Sequence, residues 1–173
     1  MHSIWQTDFV VAQTACLARS LRHWTGRELL PTGSEFTVQG SALQNAELET
    51  LNPEPLRLAQ KVFEAPFVVV LHGTEADPIL NYGNAAALAL WEMSWEELTR
   101  TPSRLTAEAP NREERARLLK VVTRRGFIDD YSGVRISKSG RRFRICCATV
   151  WNLLTADDKP CGQAAMFDKW EFI

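Results

Sequence analysis

Few residues in this chain combine a reactive type with a spacing that chemistry can use. Cys146 and Cys147 are adjacent, so a redox reaction would have to close them as a vicinal disulfide. Such a ring is strained, and a small buried hydrophobe is the commoner role for an unpaired thiol. Asp129 and Asp130 are paired carboxylates in sequence only, because neighbours on a strand point to opposite faces. Acid–base work by two carboxylates needs both groups beside one substrate bond. His72, just before Gly73, titrates near neutral pH and can either meet a ligand or close a strand as a satisfied structural residue. Lys138-Ser-Gly-Arg-Arg-Phe-Arg144 gathers four basic residues around one turn, as a phosphate or nucleic-acid contact would. Alternation, however, sends Arg142 and Arg144 one way and Phe143 and Ile145 the other, the pattern of a sheet with one solvated face.

The familiar signatures of catalysis are missing. The sequence has no dinucleotide or phosphate loop, no nucleophile elbow and no zinc-protease helix motif. Its four cysteines, Cys16, Cys146, Cys147 and Cys161, show no C-x-x-C spacing, which argues against a zinc site or a disulfide framework. All four are expected to be free thiols. Lys plus Arg number 20 against 21 Asp plus Glu, so no net field draws nucleic acid or anionic lipid. No apolar run reaches the length of a membrane span, and the first 24 residues lack the apolar core of a signal peptide. A reducing, cytoplasmic setting is the expectation. Trp91, Trp95, Trp151 and Trp170 have the rings to stack on a planar cofactor, although core packing is the usual task of tryptophan. Nothing here names a cofactor.

A chain of 173 residues is long enough to bury a core of its own. Residues 9–24 carry apolar side chains at helical spacing, with Asp8 to start the helix and Gly26 to end it. Weaker helical signals follow over residues 42–51 and 56–63. This helical extension, residues 1–63, leads into a main module over residues 64–173. There Pro66-Phe-Val-Val-Val-Leu71 reads as a buried strand, and Ile79-Leu-Asn-Tyr82 as a second. Helices follow over residues 85–91, from Trp95 behind the Ser94/Glu97 capping box, and from Asn111 to Arg125 with Gly126 as the stop. Three strands close the chain, over residues 128–137, 141–154 and 161–170, the first two joined by a hairpin with Gly140 in its loop. Helices grouped in mid-chain should cover one face of an antiparallel five-stranded sheet and leave an apolar hollow beneath them. The apolar stripe of the first helix should pack on the other face of the sheet, or on its twin in a symmetric dimer.

This element order resembles the PAS fold of sensory domains, most clearly in Ile79-Leu-Asn-Tyr-Gly-Asn-Ala-Ala-Ala-Leu88 followed by Ser94-Trp-Glu-Glu-Leu98. Within that class the chain is similar to the MEKHLA domain. The blocks that carry the likeness are Trp24-Thr-Gly-Arg-Glu-Leu29, residues 72–91, Pro102-Ser-Arg-Leu105, Asn111-Arg-Glu-Glu-Arg115, Tyr131-Ser-Gly-Val-Arg-Ile136, Gly140-Arg-Arg-Phe143 and Val150-Trp-Asn152. The resemblance implies a regulatory or sensory module of PAS type, found alone in short proteins or at the end of plant transcription regulators. Flavin photosensors of this fold carry a reactive cysteine on their central helices. Residues 101–111 have none, which speaks against a photoadduct, and no histidine stands where haem sensors of the fold bind iron.

Two readings of function lead at this level, ahead of a distant third, an uncharacterised small-molecule enzyme using the same cavity. One is a stand-alone sensory module that binds a small ligand between sheet and helices and signals through a separate protein. The other is a ligand-free interaction module that dimerises through the same sheet or the first helix. A ligand would be met by some of His72, Tyr82, Asn84, Arg104 and Trp151, with Asn84 or Arg104 orienting its polar end. Asn84 can equally serve as the cap of the helix that starts at Ala85.

Overall fold

The computed structural model describes residues 3–30 and 53–173. The expected helix over residues 42–51 lies outside them. Helix α1 (Asp8–Thr25) starts where the Thr7 hydroxyl accepts a bond from the Val10 amide, and ends at Gly26 in the left-handed conformation at φ +71°. Helix α2 (Pro53–Phe63) leads into strands β1 (Val68–His72) and β2 (Leu80–Gly83). Helices α3 (Ala85–Trp91), α4 (Trp95–Leu98) and α5 (Arg112–Arg125) come next, with two short 3-10 turns before α5. Strands β3 (Phe127–Ile136), β4 (Arg142–Leu154), β5 (Pro160–Phe167) and β6 (Lys169–Phe172) complete the chain. The expected start of α5 differs in detail. Asn111 makes no side-chain cap and instead ends the 3-10 turn Ala109–Asn111 that runs straight into the helix.

The sheet is antiparallel with strand order β2-β1-β5-β4-β3, and β6 pairs with the first half of β4. The expected last strand is thus two strands, broken at Asp168, which raises the count from five to six.

Strand alternation divides β1 between two cores. Val69 and Leu71 join a cluster with Val10, Leu17, Leu21, Tyr82, Trp151 and Leu153, whereas Val68 joins Ala87, Leu90, Trp91, Phe143 and Phe167. Helix α1 therefore covers the outer face of the sheet, and α3 lies on the inner face. Polar bonds fix α1 to the end of β4. The Leu154 amide donates to Ser20 Oγ (2.9 Å), Arg19 donates to the Leu154 carbonyl (2.7 Å), and Trp24 Nε1 donates to the Asn152 carbonyl (2.9 Å). The Trp24 ring lies on Gly126, where an added Cβ would meet it at 2.2 Å. At φ +92° that position suits glycine on both counts, and it ends α5 as expected.

Helix α5 is attached differently. Of its residues only Val122 is fully buried, and two sheet amides hold it by its carbonyls. Asn152 donates to Val122 O (3.0 Å), and Gln163 donates to Leu119 O (3.1 Å) and to Asn152 Oδ1 (3.0 Å).

The outer face depends on tight packing around Leu17, which is wholly buried. Replacing Leu17 by Ala should lower unfolding stability by about 2–5 kcal/mol in urea denaturation. A loss below about 1 kcal/mol would contradict this placement of α1.

Candidate functional site

Between the inner face of the sheet and helices α3 and α5 lies a cavity of about 60 Å³. Its walls are mostly apolar: Val70 of β1, Leu118 and Leu119 of α5, Ile145, Ala148 and Val150 of β4, and Phe167 of β5. A pair of bulges shapes it. Gly133 pairs with Ile145, Tyr131 with Ala148 and Ile128 with Val150, so β4 carries one extra residue at Cys146–Cys147 and β3 one at Asp129–Asp130. Cys147 (φ +55°) and Asp130 (φ +61°) take the left-handed conformation there. The bulge changes which residues face inward: Phe143 and Ile145 before it, Ala148, Val150 and Asn152 after it. Simple alternation at the cysteine pair therefore does not hold.

Polar groups line the cavity without partners. His72 is buried, and its Nδ1 donates to the Gly73 carbonyl at 2.8 Å, which leaves the lone pair of Nε2 unused. The indole N–H of Trp91 is also buried with no acceptor among the described residues. Burial holds the His72 pKa below its ordinary 6.5, so the ring is neutral at pH 7.

Two arginines complete the lining. Arg135, 6% exposed, donates to the Val134 carbonyl (2.8 Å) and to the Tyr131 hydroxyl (2.9 Å), with its guanidinium 5.4 Å from the Tyr131 ring centre. Gly133 makes this pairing possible, since a Cβ there would stand 2.1 Å from the Tyr131 oxygen. Arg115, in the first turns of α5, makes no hydrogen bond or ion pair among the described residues. Burial and, next, the charge of Arg135 push its pKa down to about 10.

Outside the cavity an open groove runs between the 73–78 loop, Arg104 and α5. His72, Arg115, Leu119 and Gln163 line both spaces, so the groove is the way in. Arg104 stands in this groove, bound to both carboxylate oxygens of Asp77 at 3.0 Å.

The structure does not bring the five sequence-derived site residues together. His72 lines the cavity and Arg104 the groove outside it. Tyr82 and Trp151 belong to the opposite core, beneath α1. Asn84 is fully buried and committed elsewhere: its Oδ1 accepts from the Ala87 and Val69 amides (3.2 and 3.0 Å), and its Nδ2 donates to the Phe67 and Val62 carbonyls (2.7 and 3.2 Å). It ties α2, β1 and α3 together. Sequence reasoning missed Trp91 as a polar group of the site, and it missed Arg115 and Arg135 altogether. The usable signal was Tyr131-Ser-Gly-Val-Arg135, where two large polar residues share one strand face with a glycine between them.

The other candidates fall outside the cavity. The four cysteines are free. The Cys16 and Cys161 sulfurs lie 3.8 Å apart, and burial pushes the Cys161 thiol up to about 11, away from the reactive thiolate. In the basic hairpin, Lys138 pairs with Glu97, Arg142 with Glu108 and Arg144 with Glu171, while Arg141 lies over the Phe172 ring.

The fold is of the PAS class. A domain from a Colwellia psychrerythraea protein, described as a PAS domain, matches with a TM-score of 0.57 at 14% identity, over 68% of this chain and 94% of that one. A light-oxygen-voltage domain studied with a flavin analogue matches with a TM-score of 0.53 at 13% identity, over 68% and 84% of the two chains. An RNA-binding light-oxygen-voltage receptor matches with a TM-score of 0.57 at 15% identity, over 82% of this chain and 36% of that one. A comparison with curated protein sequences finds no match. The model of the MEKHLA domain matches residues 11–172, and the chain belongs to that family.

Two predictions follow from these environments. A histidine with a depressed folded pKa contributes stability that is complete above its unfolded value of 6.5 and is lost as pH falls through the lowered folded value. Urea midpoints should thus fall between pH 7.5 and 5.5, and His72→Gln should flatten that slope; an unchanged slope would show His72 to be solvated. At Asn84, aspartate keeps the capping oxygen but deprives the Val62 and Phe67 carbonyls of their donor. Asn84→Asp should therefore cost about 2–4 kcal/mol of stability, and a neutral effect in denaturation would contradict the four-bond junction.

Proposed function

We propose that this chain is a sensory module that binds a small ligand in the cavity under α5 and passes the change to a protein partner. The observation that carries this reading is that two of the six buried side-chain atoms without a partner among the described residues, His72 Nε2 and the Trp91 indole N–H, line one apolar hollow together with the Arg115 guanidinium. Buried polar groups are almost always partnered, so orphans grouped around one space mark where a partner belongs. Size restricts what enters. The cavity is about 60 Å³, against roughly 150 Å³ for an engineered cavity that accepts benzene. A three-ring flavin does not fit, in keeping with the missing cysteine of residues 101–111.

The covering helix suits a signalling role. Helix α5 fully buries only Val122 and is bonded to the sheet through the amides of Asn152 and Gln163, which exchange partners more readily than a packed core slides. A ligand that touches Arg115, Leu118 and Leu119 would change how α5 sits on the sheet, and a partner protein can read that surface. No catalytic step is assigned to the site.

Native mass spectrometry on protein purified from its own host tests this reading. We expect a mass excess from a bound small molecule that disappears in Ala148→Leu, whose added methyls fill the cavity, while the circular dichroism spectrum stays unchanged. A bare wild-type protein, identical in mass behaviour to the filled variant, would contradict it.

A further inference from the structure

We propose that the ligand is a small aliphatic monocarboxylate, its acid group held by Arg115 with Arg135 behind it and its tail in the apolar part of the cavity. This inference rests on the reading of the cavity as a ligand site and adds the chemistry of the ligand. Its first support is the charge balance around the cavity. Arg115 and Arg135 both line it, and among the described residues no carboxylate does. Arg135 spends its donors on the neutral Val134 carbonyl and Tyr131 hydroxyl. The acid nearest in effect to Arg115, Asp77, is bound through both oxygens to Arg104. Two cations are thus held partly out of water with no anion between them, an arrangement that costs stability until an anion arrives.

The form of that anion follows from the donors. A guanidinium presents paired N–H groups that match the two oxygens of a carboxylate. The Trp91 indole N–H offers one further donor. Phosphate, with more oxygens and higher charge, would be left with most of them against Val70, Ala148 and Phe167. Scaled from the benzene-sized reference, 60 Å³ takes a tail of about two or three carbons. Arg115 lines both the cavity and the entry groove, so an acid group there keeps its contact with water while the tail is dry. Neutral solutes of the same shape lack the charge that pairs the arginines, and binding should discriminate against them.

The test is an amide and indole NMR titration of the full chain with butyrate, butyramide and inorganic phosphate, alongside thermal melts. Butyrate should shift the Trp91 indole resonance saturably and raise the melting temperature, and butyramide should bind at least tenfold more weakly. Arg115→Gln should lose at least tenfold in butyrate affinity while melting no lower than the wild type, because an unpaired desolvated charge has been removed. A purely structural arginine would instead lower the melting point. Equal binding of butyrate and butyramide, or unchanged butyrate binding in Arg115→Gln, would overturn the carboxylate inference and leave the cavity as a ligand site. Phosphate binding in place of butyrate would overturn it as well. If none of the three probes moves the Trp91 resonance the inference falls, and the mass measurement on host-purified protein then decides the wider reading alone.

Discussion

An antiparallel sheet with apolar side chains on both faces is stable only when both faces are covered, and this chain covers them unequally. The outer face carries Tyr82, Trp151 and Leu153 and is sealed by α1, with Val10, Leu17 and Leu21 fully buried against it. At roughly 25 cal/mol per Å² of apolar area buried, a few large side chains outweigh many surface pairs. The inner face is closed by short helices and by α5, which fully buries only Val122 and hangs on amide–carbonyl bonds. Packing on one side lets the other remain loose enough to hold a cavity.

The polar content of that cavity runs against stability. A neutral buried histidine, an indole N–H without an acceptor and a half-buried arginine beside a second arginine each cost free energy. Features that reduce stability concentrate where a protein has something to bind. The same logic separates this site from the basic hairpin, whose four cations are matched by acids or an aromatic ring at the surface.

Most of the fold was legible because local rules and tertiary structure agree. Gly26 and Gly126 end their helices, Ser94 and Glu97 form the expected capping box, and the hairpin turns through Gly140 at φ +87°. The site was legible only in part, and the bulge at Cys146–Cys147 shows why. Regular alternation from Phe143 and Ile145 would place Trp151 on the inner face, but one extra residue in β4 turns it outward beneath α1. Bulges have no firm sequence signature, so the facing of everything after them is lost. Asn84 was recognised as a cap, whereas its two donor bonds to α2 and the following linker depend on contacts remote in sequence. Arg115 was hidden for another reason. In a helix rich in Arg and Glu it reads as one more solvated charge, and its neighbour Arg135 arrives only when β3 folds against α5.

A crystal structure of the protein purified from its own host is the most direct test of the central claim, that the hollow under α5 is a ligand site whose polar walls await a partner. The account predicts compact non-protein electron density in the cavity, within hydrogen-bond reach of the Trp91 indole N–H and the Arg115 guanidinium. A cavity filled by the protein's own side chains, with Arg115 turned into solvent and Trp91 bonded to a protein acceptor, would contradict it.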